Sequence, residues 1–286
     1  MNNSYNRQYS ELSNGVKLSY IDEGAGEQTI IFIHGLSNYA LGWQKNIDEL
    51  KKSHRCIAID LPGNGFSSRG DYAYTMSFFA DCIHDLITKL KLTNVCLCGH
   101  SMGGQIAIAT TLKYPDAISK LVLCAPAGFE EFTESERMMY IASIKIFDAF
   151  SSDENSLRKT TQSSFYMFPG EAKEMVNDLV EILRSYPMKD YKAMIEACIY
   201  NMLYEPVFDK LLFITQPTLV LFGDKDTLIP NKILHPFSTK QIAEKGTAQL
   251  LNADMHIISQ CGHFLQWEKA GHVNSYINSF LNGGVI

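Results

Sequence analysis

The sequence predicts an α/β fold: a mostly parallel central sheet flanked by helices, with an inserted helical segment. Three observations carry this. Over the first 127 residues, apolar strand-like runs alternate with helical patterns, and strands joined through helices form parallel sheets. Those runs are continuously apolar, as in strands covered on both faces. The alternation stops at about residue 128, gives way to consecutive helical patterns, and resumes at Thr218. Residues 1–127 and 214–286 are therefore expected to form the core, and 128–213 the helical insertion.

Each element has a local reason. Residues 9–22 read as a β-hairpin turning at Ser13-Asn14-Gly15. Thr29 to Ile33 is an apolar strand, 41–51 a helix, and Cys56 to Ile59 the next strand. Residues 78–90 form an amphipathic helix with Phe79, Ile83, Leu86, Ile87 and Leu90 on one face. Val95 to Cys98 is a strand running into Gly99-His100-Ser101-Met102-Gly103, and a helix over 104–113 stops near Pro115. Leu121 to Cys124 is again a strand. Within the insertion, Ser151-Ser152-Asp153-Glu154-Asn155, Phe168-Pro169-Gly170 and Ser185-Tyr186-Pro187 read as joints. Thr218 to Phe222 and Met255 to Ser259 resume the sheet, and residues 270–281 form a helix with Val273, Tyr276, Ile277, Phe280 and Leu281 on one face.

Composition narrows the function. A net charge of −6 provides no basic face, which argues against nucleic acid and anionic membrane surfaces as partners. No apolar run reaches the roughly 20 residues of a membrane span. The start, Met1-Asn2-Asn3-Ser4-Tyr5-Asn6-Arg7, lacks the apolar core of a secretory signal. Seven cysteines include no C-x-x-C pair; Cys96, Cys98 and Cys124 fall in strands and act as small hydrophobes. A reducing, cytoplasmic location is the expectation. There is no H-E-x-x-H and no cysteine ladder, so neither metal nor cofactor is expected.

The chemistry concentrates at three strand ends. Ser101 sits in a G-x-S-x-G pattern between a strand and a helix, a sharp turn that presents its hydroxyl to a cleft. Gly99, Gly103 and Gly104 leave room for the close chain approach such a turn needs. A serine hydroxyl is a weak nucleophile; it needs a base, and the base needs a group to orient it. Asp224 and Asp226 follow the strand ending at Phe222 and are rival orienting acids. Among eight histidines, His263 follows a strand and comes after the acids, whereas His54, His84, His235, His256 and His272 sit in no motif. His34 and His100 lie in glycine-flanked turns and read as hydrogen-bonding or packing residues. In open α/β sheets, ligands bind at the carboxyl ends of the strands.

Along nearly its whole length the chain resembles the α/β-hydrolase superfamily. The resemblance rests on Ile33-His34-Gly35, Asp60-Leu61-Pro62-Gly63-Asn64-Gly65-Phe66-Ser67, Gly99-His100-Ser101-Met102-Gly103-Gly104, Gly223-Asp224-Lys225-Asp226 and Gly262-His263-Phe264, in that order. It implies Ser101 as nucleophile, His263 as base and, three residues after Gly223, Asp226 as the acid. It implies an oxyanion hole from the backbone N–H groups of Met102 and Leu36, with the Asn38 side chain as a lesser candidate. His34, Gly35, His100, Gly99 and Gly103 would support the site, and the insertion would be a helical cap. Seven of the eleven methionines lie in the insertion (Met138, Met139, Met167, Met175, Met188, Met194, Met202), with Phe132, Phe147, Phe165, Tyr166 and Phe168. Packing of helices against one another accounts for any one of them; collectively they hint at an apolar pocket.

The leading expectation is a serine hydrolase that cleaves a carboxylic ester or lactone of a small to medium apolar substrate through an acyl-enzyme. Dehalogenases and epoxide hydrolases of this fold use an aspartate where this chain has Ser101. The tail Cys261-Gly262-His263-Phe264-Leu265-Gln266-Trp267-Glu268 resembles hydrolases that cleave carbon–carbon bonds of ring-fission products. That subgroup usually has tryptophan at the position of Phe264 and a serine- and glycine-rich loop where this chain has Leu36-Ser37-Asn38-Tyr39. The alternatives are such a carbon–carbon hydrolase, or a catalytically silent ligand-binding member. The sequence does not define the oligomeric state.

Overall fold

In the computed structural model, residues 5–150 and 154–283 are described, the side chains of 144–150 excepted. The Met1–Ser4 start, the Ser151-Ser152-Asp153 part of the polar joint and the Phe147 side chain lie outside the described residues.

β1 (Arg7–Glu11) and β2 (Lys17–Glu23) pair as the predicted hairpin, with Gly15 at φ 81° in its turn. β3 (Thr29–Ile33), β4 (Arg55–Asp60), β5 (Val95–His100), β6 (Lys120–Cys124), β7 (Thr218–Gly223) and β8 (Ala253–Ile258) complete one sheet in the order β1-β2-β4-β3-β5-β6-β7-β8. β2 runs antiparallel to β4, and every pairing beyond it is parallel. β3, β5 and β7 are buried along their full length, which is why their sequences are apolar without alternation.

Helices cover both faces. The expected helix over 41–51 is a 3₁₀ turn, Ala40–Trp43, followed by α1 (Gln44–Leu50). α2 (Met76–Lys89) starts two residues before the expected position 78, because the Thr75 hydroxyl caps it by accepting from the Phe78 N–H at 2.9 Å. α3 (Met102–Lys113) follows β5. Between β6 and β7 the described residues hold four α-helices, α4 (Glu134–Phe150), α5 (Glu154–Ser163), α6 (Ala172–Arg184) and α7 (Met188–Tyr204), and a 3₁₀ turn, Phe208–Phe213, with no strand. α8 (Thr239–Thr247) was not expected: its nine residues bury Ile242 and Ala243 but carry a weak apolar pattern. A capping box, Ser238 with Gln241, marks its start. α9 (Leu265–Glu268) and α10 (Ala270–Leu281) close the chain.

Two tight features set the strand ends. Asp60, fully buried at the end of β4, accepts from the N–H of Ala40 at 2.7 Å and of Phe66 at 3.1 Å. It thereby ties the loop after β3 to the loop after β4. At the end of β5 the chain passes into α3 through one residue, Ser101, at φ 54°, ψ −120°. The helix begins at Met102, two residues earlier than expected, because the turn spends only that one strained residue. A Cβ on Gly99 would lie 2.2 Å from the Gly103 carbonyl oxygen, and one on Gly103 would lie 2.3 Å from that of Ile33. Backbone on both sides leaves nothing to give way. Gly103→Ala should therefore destabilise the protein by about 1–3 kcal/mol or more, read as a lower urea midpoint; an unchanged midpoint would contradict this packing.

Candidate active site

Ser101, Asp226 and His263 come from the ends of β5, β7 and β8, the last two being adjacent strands. The Ser101 N–H donates to the Cys124 carbonyl at 3.0 Å, and its own carbonyl accepts from Gly104 at 2.9 Å and Ala127 at 3.0 Å. The main chain of the nucleophile candidate is thus fixed while its side chain faces a cavity of about 370 Å³.

His263 and Asp226 are 3 % and 0 % exposed at their side chains, and the His263 Nδ1–H donates to Asp226 Oδ2 at 2.8 Å. The other oxygen, Oδ1, accepts from the N–H groups of Leu228 at 2.8 Å and Ile229 at 3.0 Å. The carboxylate therefore has acceptor duties on both sides and is held in one orientation. With Nδ1 carrying the proton, Nε2 is left as the proton acceptor. The rival Asp224 turns elsewhere: its Oδ1 accepts from the Cys261 N–H at 3.3 Å.

The backbone of His263 is also gripped. Its N–H donates to the Ser164 carbonyl at 2.9 Å, and its carbonyl accepts from His100 Nε2–H at 2.9 Å. Burial, with His263 beside it, holds the His100 pKa well below the ordinary histidine range, so the ring is neutral and donates through Nε2. Its Nδ1 is buried without a hydrogen-bond partner among the described residues. His34 is likewise lowered by burial; its Nδ1–H donates to the Gly35 carbonyl at 2.7 Å and its Nε2 accepts from the Leu61 N–H at 3.0 Å. Both histidines hydrogen-bond to loop backbone. A Cβ on Gly35 would come 3.1 Å from Ser101 Cβ and from His100 Nδ1, so this loop lies directly against the serine.

Met102 opens α3, so its N–H has no intrahelical acceptor. Neither that N–H nor the Leu36 N–H makes a hydrogen bond among the described residues. Asn38, by contrast, is buried against Gly42, where its Oδ1 accepts from the Tyr39 N–H, and it does not border the cavity. Between the Ser101 hydroxyl and the His263 imidazole there is no hydrogen bond among the described residues. Both line the same cavity, and such contacts commonly tighten only when substrate is bound.

The insertion supplies much of the cavity wall: Arg137 and Tyr140 from α4, Leu157, Thr160 and Thr161 from α5, and Ile199, Met202 and Leu203 from α7. Of the seven methionines in the insertion, Met202 alone borders it; Met175 and Met194 are buried in packing, and Met138, Met139, Met167 and Met188 are exposed. The apolar part of the wall thus comes mainly from other side chains, among them Leu157, Ile199, Leu203 and Ile229. Phe132 does border the cavity, and Phe165 stacks at 4.8 Å on Phe264, which also borders it. The lining includes acids, Glu130, Glu131 and Asp209, beside Arg137. Sequence reading passed over Ser164, Arg137 and Glu268. Among the described residues no helix is long and apolar enough to cross a membrane, and no group of three or more His, Cys, Asp or Glu is arranged to hold a metal ion.

Residues 28–270 match the alpha/beta hydrolase fold family, and the chain belongs to that family. It is 28% identical over 280 residues, 91% of this chain and 89% of the relative, to a 2-hydroxy-6-oxononadienedioate/2-hydroxy-6-oxononatrienedioate hydrolase of Klebsiella pneumoniae subsp. pneumoniae. Among solved structures it superposes on an esterase from Exiguobacterium antarcticum with TM-score 0.79, at 23% identity, covering 96% of this chain and 99% of that one. It also superposes on the meta-cleavage product hydrolase from Pseudomonas fluorescens IP01 with TM-score 0.77, at 23% identity, covering 96% and 97%.

The two aspartates make a direct test. Asp226→Asn keeps a carbonyl oxygen for Leu228 and Ile229 but faces His263 with an amide that favours the wrong tautomer. It should slow fluorophosphonate labelling of Ser101 by roughly 10³–10⁴-fold, while Asp224→Asn leaves the labelling rate unchanged. The reverse pattern would reassign the acid.

Proposed function

We propose that this protein is a serine hydrolase in which Ser101 attacks a carbonyl carbon, His263 moves the proton and Asp226 orients His263. The observation that carries the reading is the buried His263–Asp226 hydrogen bond facing, across one cavity, a serine held at a strained strand-to-helix turn. The hydroxyl proton passes to His263 Nε2 as the Ser101 oxygen bonds to carbon. The resulting oxyanion sits against the N–H groups of Met102 and Leu36, a stabilisation worth about 10²–10³ in rate per donor. Collapse expels the leaving group, which takes the proton from His263, and water then hydrolyses the acyl-serine by the same relay. Residues 128–213 act as a cap that encloses a small-molecule substrate, over a core of 1–127 and 214–286.

For the bond broken, the relatives favour carbon–carbon cleavage over the ester cleavage with which the sequence reading leads. In that reaction the carbonyl carbon stays on Ser101 as the acyl group. The departing carbon takes the electron pair, which must be delocalised into an adjoining conjugated carbonyl, and His263 returns the proton to it. Full-length relatedness to hydrolases of ring-fission dienedioates supports this reading. Two features support an ester as the second reading. Phe264 stands where the carbon–carbon subgroup usually has tryptophan, and Glu130, Glu131 and Asp209 in the wall suit a dianionic substrate poorly.

One panel tests both. A ring-fission dienol, followed by loss of its visible absorbance, should be turned over with higher kcat/KM than any p-nitrophenyl ester of a chain-length series. An ester that outruns the dienol reverses the order of the two readings. In either case Ser101→Ala should lower kcat by about 10⁶-fold without changing the melting temperature. Retained turnover would overturn the nucleophile.

A further inference from the structure

Glu268 ends α9, five residues beyond His263, and its carboxylate is half-buried. Oε1 accepts from the Gly262 N–H at 2.9 Å, the Tyr166 N–H reaches both oxygens at 3.2 and 3.1 Å, and Oε2 accepts from the Met167 N–H at 3.0 Å. One acid thus joins the residue before the base to two consecutive residues of the insertion, about a hundred positions away in sequence. Hydrogen bonds to an ionised acceptor are roughly twice as strong as neutral ones.

The same insertion turn touches the reaction centre at three other points. Ser164 accepts from the His263 N–H at 2.9 Å. The Phe165 ring lies on that of Phe264 at 4.8 Å and 7°. The Ser163 carbonyl accepts from the hydroxyl of Thr227, the neighbour of Asp226, at 3.4 Å. The approach is close enough that a Cβ on Gly262 would lie 2.5 Å from the Tyr166 nitrogen and 2.7 Å from Glu268 Oε1. The loops bearing base and acid both rest on one five-residue turn of the helical insertion.

We propose that Glu268 is a positioning residue: its carboxylate fastens the Ser163–Met167 turn of the insertion to the His263 loop and so fixes the imidazole over the cavity. The insertion is anchored at this turn. The assignment rests on reading Ser101, His263 and Asp226 as the reaction centre.

The chemistry of the contact defines the test. In Glu268→Gln the amide keeps one accepting oxygen but sets its NH₂ against a backbone N–H. With p-nitrophenyl acetate, well below the melting temperature, kcat should fall about 10- to 100-fold, the scale of a small misplacement of a reacting group, with KM unchanged. Amide hydrogen exchange should quicken at Gly262, Tyr166 and Met167 and stay unchanged in β3 and β5. Phe165→Leu, which loosens the same turn without touching the carboxylate, should lower kcat in the same direction by a smaller factor, and decides the matter if Glu268→Gln does not fold. Wild-type kcat in a folded Glu268→Gln or Phe165→Leu, or a loss no larger than the unfolded fraction, would overturn the proposal. If Ser101→Ala is inactive in the same assay, that failure belongs to Glu268 alone; if Ser101→Ala is active, the reading of the reaction centre fails first.

Discussion

The buried hydrogen bond between His263 and Asp226 is the interaction around which the rest of the chain is arranged. Placing an imidazole and a carboxylate in a nearly dry site costs desolvation, and the pairing offsets it only when the remaining lone pairs are also satisfied. Here the Leu228 and Ile229 N–H groups fill that role on the far oxygen. The adjacency of β7 and β8 brings the two loops together, so a sheet register decided by apolar side chains sets the geometry of a polar pair. The pair is shielded from solvent, as the proposed role of His263 as a base of fixed tautomer requires.

The serine is fixed by a different means. Steric exclusion at Gly99 and Gly103 lets α3 start hard against β3 and β5, and Ser101 carries the strain of the turn at φ 54°. Packing of the surrounding backbone and the main-chain hydrogen bonds of Ser101 to Cys124, Gly104 and Ala127 together hold that conformation. The proposed oxyanion donors would follow from the same two constraints: Met102 because a helix must begin with unpaired N–H groups, and Leu36 because Asp60 and His34 hold its loop. Neutral His100 links the two halves, since it precedes Ser101 in sequence and holds the carbonyl of His263. The site is a junction between a sterically determined elbow and a hydrogen-bonded loop.

Much of this was legible in the sequence because backbone demands leave residue-type signatures. The glycines about Ser101, the apolar runs and the Ser101–Asp226–His263 order each report a geometric requirement. Other parts left weaker marks. Without the resemblance nothing in the sequence separates Asp224 from Asp226; the fold gives one to His263 and the other to the Cys261 N–H. Nine residues with two buried apolar positions do not announce α8, although its Ser238–Gln241 box does. Asn38 looked able to reach the site but is packed against Gly42. Glu268 was unreadable for a more general reason: its partners are backbone N–H groups of a distant segment, and such groups have no sequence identity. Cavity walls built by α4, α5 and α7 are similarly opaque, since a methionine at a packing position and one at a wall read alike.

The comparisons and the wall chemistry pull the substrate assignment in different directions, and both proposed reactions begin with the same step, attack of Ser101 on a carbonyl. The most direct measurement of that step is a crystal structure with a boronic acid, whose tetrahedral adduct mimics the intermediate. The account predicts a covalent bond from Ser101 Oγ to boron and one boronate oxygen on the N–H groups of Leu36 and Met102. It also predicts His263 Nε2 about 2.6–3.2 Å from an adduct oxygen. An adduct in which the imidazole stays beyond hydrogen-bond reach, or in which the boronate oxygens avoid both N–H groups, would contradict it.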